Sequence, residues 1–100
     1  QTILKVGKKE YRTGSLNGLE IKDCESILAL FLAKKYTAGP GVNAEQLKQV
    51  DWQKPGGFWK RGEQISVQFP HKREGNGFFD LQVKPGKKQL VITQLLQAIP

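Results

Sequence analysis

The clearest periodicity in the chain is in QISVQFPHKREGNGFFDLQV, which runs from Gln64 to Val83. Apolar and polar residues alternate in its first part, 64–69, and again in its last part, 78–83. A period of two indicates β-strands that turn one face towards a core. The middle part, Pro70–Gly77, is rich in turn-forming residues. The stretch therefore predicts two antiparallel strands joined by a loop.

Two more elements are expected towards the C-terminus. Pro85-Gly86-Lys87-Lys88 has the composition of a second turn, and Gln89–Thr93 that of a third strand. The three strands predict an antiparallel meander. Residues 93–99 carry Leu95, Leu96 and Ile99, a spacing that favours a short C-terminal helix.

The N-terminal half predicts a hairpin followed by helices. Residues 2–13 have the pattern of a β-hairpin, in which Gly7 supplies the positive φ of a tight turn. A central helix is expected from about Asp23 to Tyr36, and most of it is apolar. Asn43 is a good N-cap for a second, short helix over 44–50. The central helix has an apolar stripe at the i, i+3, i+4, i+7 spacing, which consists of Cys24, Ile27, Leu28 and Phe31.

These elements together predict an α+β fold in one small domain over residues 1–100. Residues 51–62 break the regular pattern, because they contain Pro55-Gly56-Gly57. The order of two helices and a β-hairpin resembles a winged helix, with residues 71–77 as the wing. That resemblance implies a recognition helix directly after the second helix, beginning at Pro55.

Length, charge and cysteine usage limit the functional classes. The chain has 100 residues, 38% of them hydrophobic, and a net charge of +7. It is too apolar for a disordered basic tail, and no apolar run approaches the roughly 20 residues of a membrane-spanning helix. Cys24 is the single cysteine and lies in an apolar segment, so we interpret it as a core residue. A cytoplasmic location is expected, and the start at Gln1 without any Met leaves open whether this is a piece of a longer protein.

Basic residues at turns carry the main functional hypothesis, which is non-enzymatic binding of DNA or RNA. Residues 54–88 hold eight Lys or Arg and three acids, and pairs of bases fall at the expected turns. Cations at projecting turns can contact phosphates, and an aromatic ring beside them can stack on an unpaired base. We expect Trp59 and His71 to lie close to bases or sugars. The predicted phosphate contacts are Lys60, Arg61, Lys72, Arg73, Lys87 and Lys88.

Two alternatives remain open at this level. A small metal-free ribonuclease would use His71, Arg73 and Glu74 as its acid–base and charge-stabilising groups. A protein-interaction module would bind an acidic partner, or form homo-oligomers through a strand edge. One Cys and one His do not suggest a zinc site, and neither a metal nor a cofactor is expected.

Overall fold

Ten elements make up the computed structural model, which describes residues 1–73, 75 and 77–98. The first two strands form a separate hairpin, and the other six belong to one sheet. In chain order the elements are β1 (Thr2–Val6), β2 (Lys9–Thr13), β3 (Leu16–Asn17), α1 (Ile21–Leu32), β4 (Tyr36–Ala38), α2 (Ala44–Leu47), β5 (Gly57–Arg61), β6 (Gln64–Pro70), β7 (Phe78–Pro85) and β8 (Leu90–Ala98).

The sheet has the strand order β3-β5-β6-β7-β8-β4. Strands β5 to β8 form a continuous antiparallel meander, and the two short edge strands add in parallel, β3 to β5 and β4 to β8. This confirms the predicted α+β class and the alternation in 64–83. The predicted N-terminal hairpin is also confirmed, with Val6 opposite Lys9 and Gly7 at a φ of 62°.

One face of the sheet packs against α1. Phe31 is fully buried there, with its ring centroid 5.1 Å from that of Phe69 and 4.9 Å from that of Trp52. The hairpin adds Leu4 and Tyr11 to the same buried cluster. The alternating apolar positions of β6 and β7 are all on this inner side, so the predicted strand pattern accounts for the core.

Helix α1 buries the predicted stripe but ends four residues before Tyr36. All four stripe residues are buried. At the C-terminal end Lys34 adopts a left-handed φ of 57°, and the amide of Lys35 donates to the carbonyl of Leu30 at 2.8 Å. These are the features of a Schellman motif with lysine at the position that usually holds glycine. Because the chain reverses there, Tyr36 begins β4 instead of continuing the helix.

Cys24 is the core residue that the sequence suggested. Its side chain is fully buried. Burial, helped by the neighbouring carboxylates of Asp23 and Glu25, raises the pKa of the Cys24 thiol to about 11. The thiol is therefore protonated at neutral pH, which makes it unreactive.

The predicted C-terminal helix over 93–99 is wrong. Residues 90–98 form strand β8, and Ile99 lies outside the described residues. The paired apolar positions Leu95 and Leu96 fit either period over so short a range. The edge of β7 that faces away from β6 has backbone N–H and C=O groups that need hydrogen-bond partners. Strand β8 supplies them along the whole length of β7, so residues 90–98 are extended instead of helical.

The meander has four strands, because part of the irregular segment 51–62 is strand β5. A recognition helix beginning at Pro55 is therefore wrong, and the resemblance to a winged helix does not hold. Gly56 donates its amide to the carbonyl of Gln68 at 2.7 Å, which brings this segment onto β6. Strand β5 has only five residues and begins with a glycine, so its alternation of apolar and polar residues is not visible in the sequence.

The second helix is present but shorter than expected, since it covers Ala44–Leu47 of the predicted 44–50. Asn43 caps it as predicted, accepting a hydrogen bond from the amide of Glu45 at 2.9 Å. Neither helix of the described residues is long and apolar enough to cross a membrane.

Candidate functional site

The centre of the outward face of the sheet is polar. The side chains of β6 and β7 that alternate with the core residues are half-buried or exposed. Both helices contribute their buried residues to the core on the opposite side. We call this surface the open face. Its central residues are Gly57, Trp59, Arg61, Gln64, Ser66, Gln68, Asp80 and Gln82.

Strand register arranges the open face in rows that cross the meander. Trp59 lies opposite Ser66, which in turn lies opposite Gln82. Neighbouring strands are about 4.8 Å apart, so a ligand that covers one row touches several strands. Towards the β5–β6 turn, Arg61 lies opposite Gln64. Trp59 and Arg61 are two residues apart on one strand, so both project from the same face.

The indole of Trp59 lies over Gly57. A Cβ atom at position 57 would be 2.7 Å from Cη2 and 3.1 Å from Cζ2 of the indole. Real Cβ atoms do not come so close to another heavy atom, so the ring occupies space that any other residue at position 57 would fill. Trp59 is half-buried in this position. The absence of a side chain at Gly57 therefore lets the ring pack directly over the backbone of β5.

A concavity of about 400 Å³ opens on this face. It combines one aromatic ring, one guanidinium, amide groups, a hydroxyl and a carboxylate. Such a set can stack on a planar group and both donate and accept hydrogen bonds at its edge. The lining residues are Trp59, Arg61, Gln64, Ser66, Gln68, Asp80 and Gln82.

Asp80 is the acidic group of this concavity. Strand pairing places it between Gln68 on β6 and Leu96 on β8. Its Oδ1 atom is shielded from solvent and has no hydrogen-bond partner among the described residues. Partial burial raises the pKa of the Asp80 carboxyl above its usual value of 3.8. A shielded carboxylate oxygen without a donor is energetically costly, and a bound N–H or O–H group reduces that cost.

The basic residues predicted to bind nucleic acid divide between the two ends of the sheet. In an antiparallel meander, the β5–β6 and β7–β8 turns lie at one end and the β6–β7 loop at the other. Arg61, Lys87 and Lys88 are thus at one end, whereas Lys72 and Arg73 are about 20 Å away along seven-residue β6. Lys60 is exposed, but it lies between Trp59 and Arg61 in the strand and so projects from the other face.

The β6–β7 loop forms a second concavity, of about 320 Å³. Three cations line it, and one of them, Lys48, pairs with Glu45 at 3.3 Å. Lys72 donates its amide to the carbonyl of Gln49 at 2.8 Å, which holds the loop against the segment after α2. The lining residues are Lys48, Gln49, His71, Lys72 and Arg73.

His71 has a structural role in this loop. Its Nδ1 accepts the amide hydrogen of Arg73 at 3.0 Å, so the proton is on Nε2, which lies 3.0 Å from Oε1 of Gln49. The ring also stacks on Phe79 with centroids 5.5 Å apart. General-base chemistry would require His71 to give up the bond from Arg73. Glu74, the other predicted acid–base residue, lies outside the described residues, and the ribonuclease hypothesis stays a prediction.

Sequence reasoning found Trp59 and Arg61 but missed their polar neighbours. The signal was present in the alternation of 64–83, because every residue between two core positions of a strand faces the other side. Read in this way, Gln64, Ser66, Gln68, Asp80 and Gln82 already define a polar face. What the sequence did not show is that β5 lies beside them and adds the tryptophan.

Comparison with protein-family models, with curated proteins and with solved structures finds no match for this chain.

Proposed function

We propose that this chain binds single-stranded nucleic acid across the open face of its sheet, without catalysing a reaction. The observation that carries the proposal is the indole of Trp59, which packs over Gly57 in a polar concavity beside Arg61. An unpaired base can stack on such a ring, a contact worth about 1–3 kcal/mol. The amides and the carboxylate around it can hydrogen-bond to the edge of that base.

Charge favours a polyanion as the ligand. The chain carries +7, and Arg61 puts one cation in the open-face concavity itself. A concavity of about 390 Å³, lined by Lys84 but also by the acidic Glu63, shares Gln64 and Gln82 with the site and extends it towards the β7–β8 turn with Lys87 and Lys88. At the opposite end of the sheet the loop concavity offers Lys72 and Arg73. A strand that spans both ends would contact several phosphates.

Shape favours a single strand over a duplex. Readers of duplex DNA usually insert a helix or a β-ribbon into the major groove. Here the aromatic ring lies in a concave sheet surface. The faces of a paired base are covered by the neighbouring bases of the duplex, so a paired base cannot stack on this ring. Unpaired bases can instead be spread over a sheet and stacked on its aromatic side chains.

The test is a fluorescence-anisotropy titration with labelled 12-nucleotide single-stranded DNA, single-stranded RNA and duplex DNA. We expect the single strands to bind more tightly than the duplex, and their log K to fall linearly with log salt concentration. Three phosphate contacts would give a slope of about −2. No binding of any single strand at about 50 mM salt would refute the proposal.

Variants assign the binding to the open face. Trp59→Ala should weaken binding at least fivefold, since it removes the stacking surface. Arg61→Gln should weaken binding and make the salt slope shallower. Lys22→Gln is the matched control, because it removes the same charge from α1, on the other side of the sheet. Equal losses in Arg61→Gln and Lys22→Gln, or unchanged binding in Trp59→Ala, would contradict the assignment and indicate that the oligonucleotide binds by diffuse charge.

A further inference from the structure

Strand β8 has an outer edge that is only partly covered. Strand β4 pairs with Leu90–Ile92, and the amide of Gly39 adds one bond to the carbonyl of Ile92 at 2.8 Å. The register of β8 then shifts by one residue at Thr93, which is left unpaired in the ladder. Beyond this bulge, no strand of the described chain pairs with the outer side of 94–98.

The uncovered edge lacks the features that normally prevent strands from associating. Free edges are usually guarded by charged residues, especially lysine, or by proline. Residues 94–98 read QLLQA, which contains none of these, in a chain with 16 Lys and Arg. The side chain of Leu96 is 52% exposed in the middle of this edge. Unpaired backbone groups beside an exposed leucine form a surface that is suited to another strand.

We propose that this edge pairs with the same edge of a second copy, antiparallel and about a two-fold axis at Leu96. Residues opposite each other in a sheet face the same side, so a two-fold axis through Leu96 preserves both faces. It places Leu96 against the partner's Leu96 and Gln94 against the partner's Ala98. The two exposed leucines then cover each other.

Charge explains why a second copy can occupy an edge of so basic a chain. Each copy carries +7, but none of that charge is on residues 94–98. Like charges directly opposite each other would destabilise a strand pair, and this register creates none. Because the axis is perpendicular to the sheet, both open faces turn to the same side. The two concavities that contain Trp59 then lie on one continuous surface.

Self-association is tested on the full chain without nucleic acid, so the result does not depend on the proposed function. Sedimentation velocity from about 10 µM to 1 mM, a range suited to weak association, should show a reversible monomer–dimer equilibrium. Leu96→Lys should weaken it at least tenfold, because it puts like charges opposite each other. The control is Ile21→Lys, which changes another exposed apolar residue, 48% exposed at the start of α1.

Three results would overturn the proposal: a monomer at every concentration, open-ended aggregation instead of a dimer, or equal weakening by the two lysine variants. The control also shows whether an added charge alone prevents association. Circular dichroism of Leu96→Lys confirms that the variant is folded, which is expected because position 96 is largely exposed.

Disulfide formation tests the register. In Leu96→Cys the two introduced Cβ atoms should be about 4.5–5.5 Å apart across the axis, close enough for oxidation with a small adjustment. In Gln94→Cys, on the same face, they should be separated by four residues, or about 13 Å. Cys24 can stay in place, because it is fully buried. A disulfide dimer in the first variant and none in the second is expected, and equal cross-linking would refute this register.

Discussion

Replacing Gly57 with alanine should remove the stacking surface without removing the tryptophan. The new Cβ would lie 2.7 Å from Cη2 of Trp59, a distance that forces one of the two groups to move. The backbone of β5 is fixed by its pairing with β6, with Gly57 opposite Gln68. The indole is half-buried at the end of a rotatable side chain, so we expect the ring to swing away from the sheet.

The magnitude of the effect on binding follows from the lost stacking. One base on one aromatic ring contributes about 1–3 kcal/mol, which corresponds to a loss of about 5- to 150-fold in affinity. The effect on folding should be small. The φ of Gly57 is not in the left-handed region, and alanine in a strand avoids a glycine cost of about 0.5–1 kcal/mol. We therefore expect the free energy of unfolding to change by less than about 1 kcal/mol.

The assay combines anisotropy with tryptophan fluorescence. In Gly57→Ala the emission should shift to the red as Trp59 becomes exposed, while Trp52, 8% exposed, gives a constant background. Gly75→Ala is the control, since a Cβ there meets nothing within 4 Å. Trp59→Ala added to Gly57→Ala should cost no further affinity. Wild-type affinity with an unchanged emission spectrum in Gly57→Ala would show that the position of the Trp59 ring does not depend on Gly57.

Three further predictions concern stability. Asp80→Asn should raise the melting temperature at pH 7, because burial raises the pKa of this carboxyl in the folded chain and so favours its neutral form. In the wild type, the contribution of Asp80 to stability should fall as pH rises from below 3.8 through the raised pKa. The advantage of the variant should therefore disappear at the acid end of a pH series. Phe31→Ala should lower the free energy of unfolding by about 3–5 kcal/mol in urea titrations, since Phe31 is fully buried between Trp52 and Phe69, and a loss below 1 kcal/mol would contradict this packing. Lys34→Gly should stabilise the chain by about 1 kcal/mol by relieving the left-handed backbone, and a destabilised variant would show that the lysine side chain matters more than its φ.

The elements that could be predicted are those with a long, unambiguous period. The alternation in 64–69 and 78–83 exceeds five residues on each side, and both strands were confirmed. The stripe of α1 spans two turns and was also confirmed. In both cases local pattern and tertiary burial agree, so sequence alone is sufficient.

The elements that were missed depend on contacts that are distant in sequence. Strand β8 has a pattern compatible with a helix, and its pairing with β7 decides between the two. Strand β5 begins at Gly57, a residue type that is unfavourable in strands, and the contact that requires it is with the indole of Trp59. The end of α1 depends on Lys34 in a left-handed conformation, for which the sequence offers no glycine. None of these can be derived from composition.

The candidate site was predictable in its chemistry but not in its geometry. Clustered bases and tryptophan led to Trp59 and Arg61, which the structure brings together. The sequence also assigned His71, Lys72 and Arg73 to the nucleic-acid contacts and left open whether the basic turns share one face; these three residues lie at the other end of the sheet. Successive turns of a meander lie at opposite ends of the sheet. Which basic turns lie close together can therefore be stated only once the strand order is known.

Chemical-shift mapping of the amides during titration with a single-stranded 12-mer would locate the binding surface residue by residue. We predict that the largest shifts occur at Trp59, Ser66, Gln68 and Gln82 on the open face, together with the indole N–H of Trp59. Residues of the helix on the opposite side, such as Ser26, should stay unchanged. Two results would contradict the assignment of the open face as the binding surface. One is a set of shifts centred on α1, and the other is no shift at oligonucleotide concentrations that saturate the wild-type chain in the anisotropy titration.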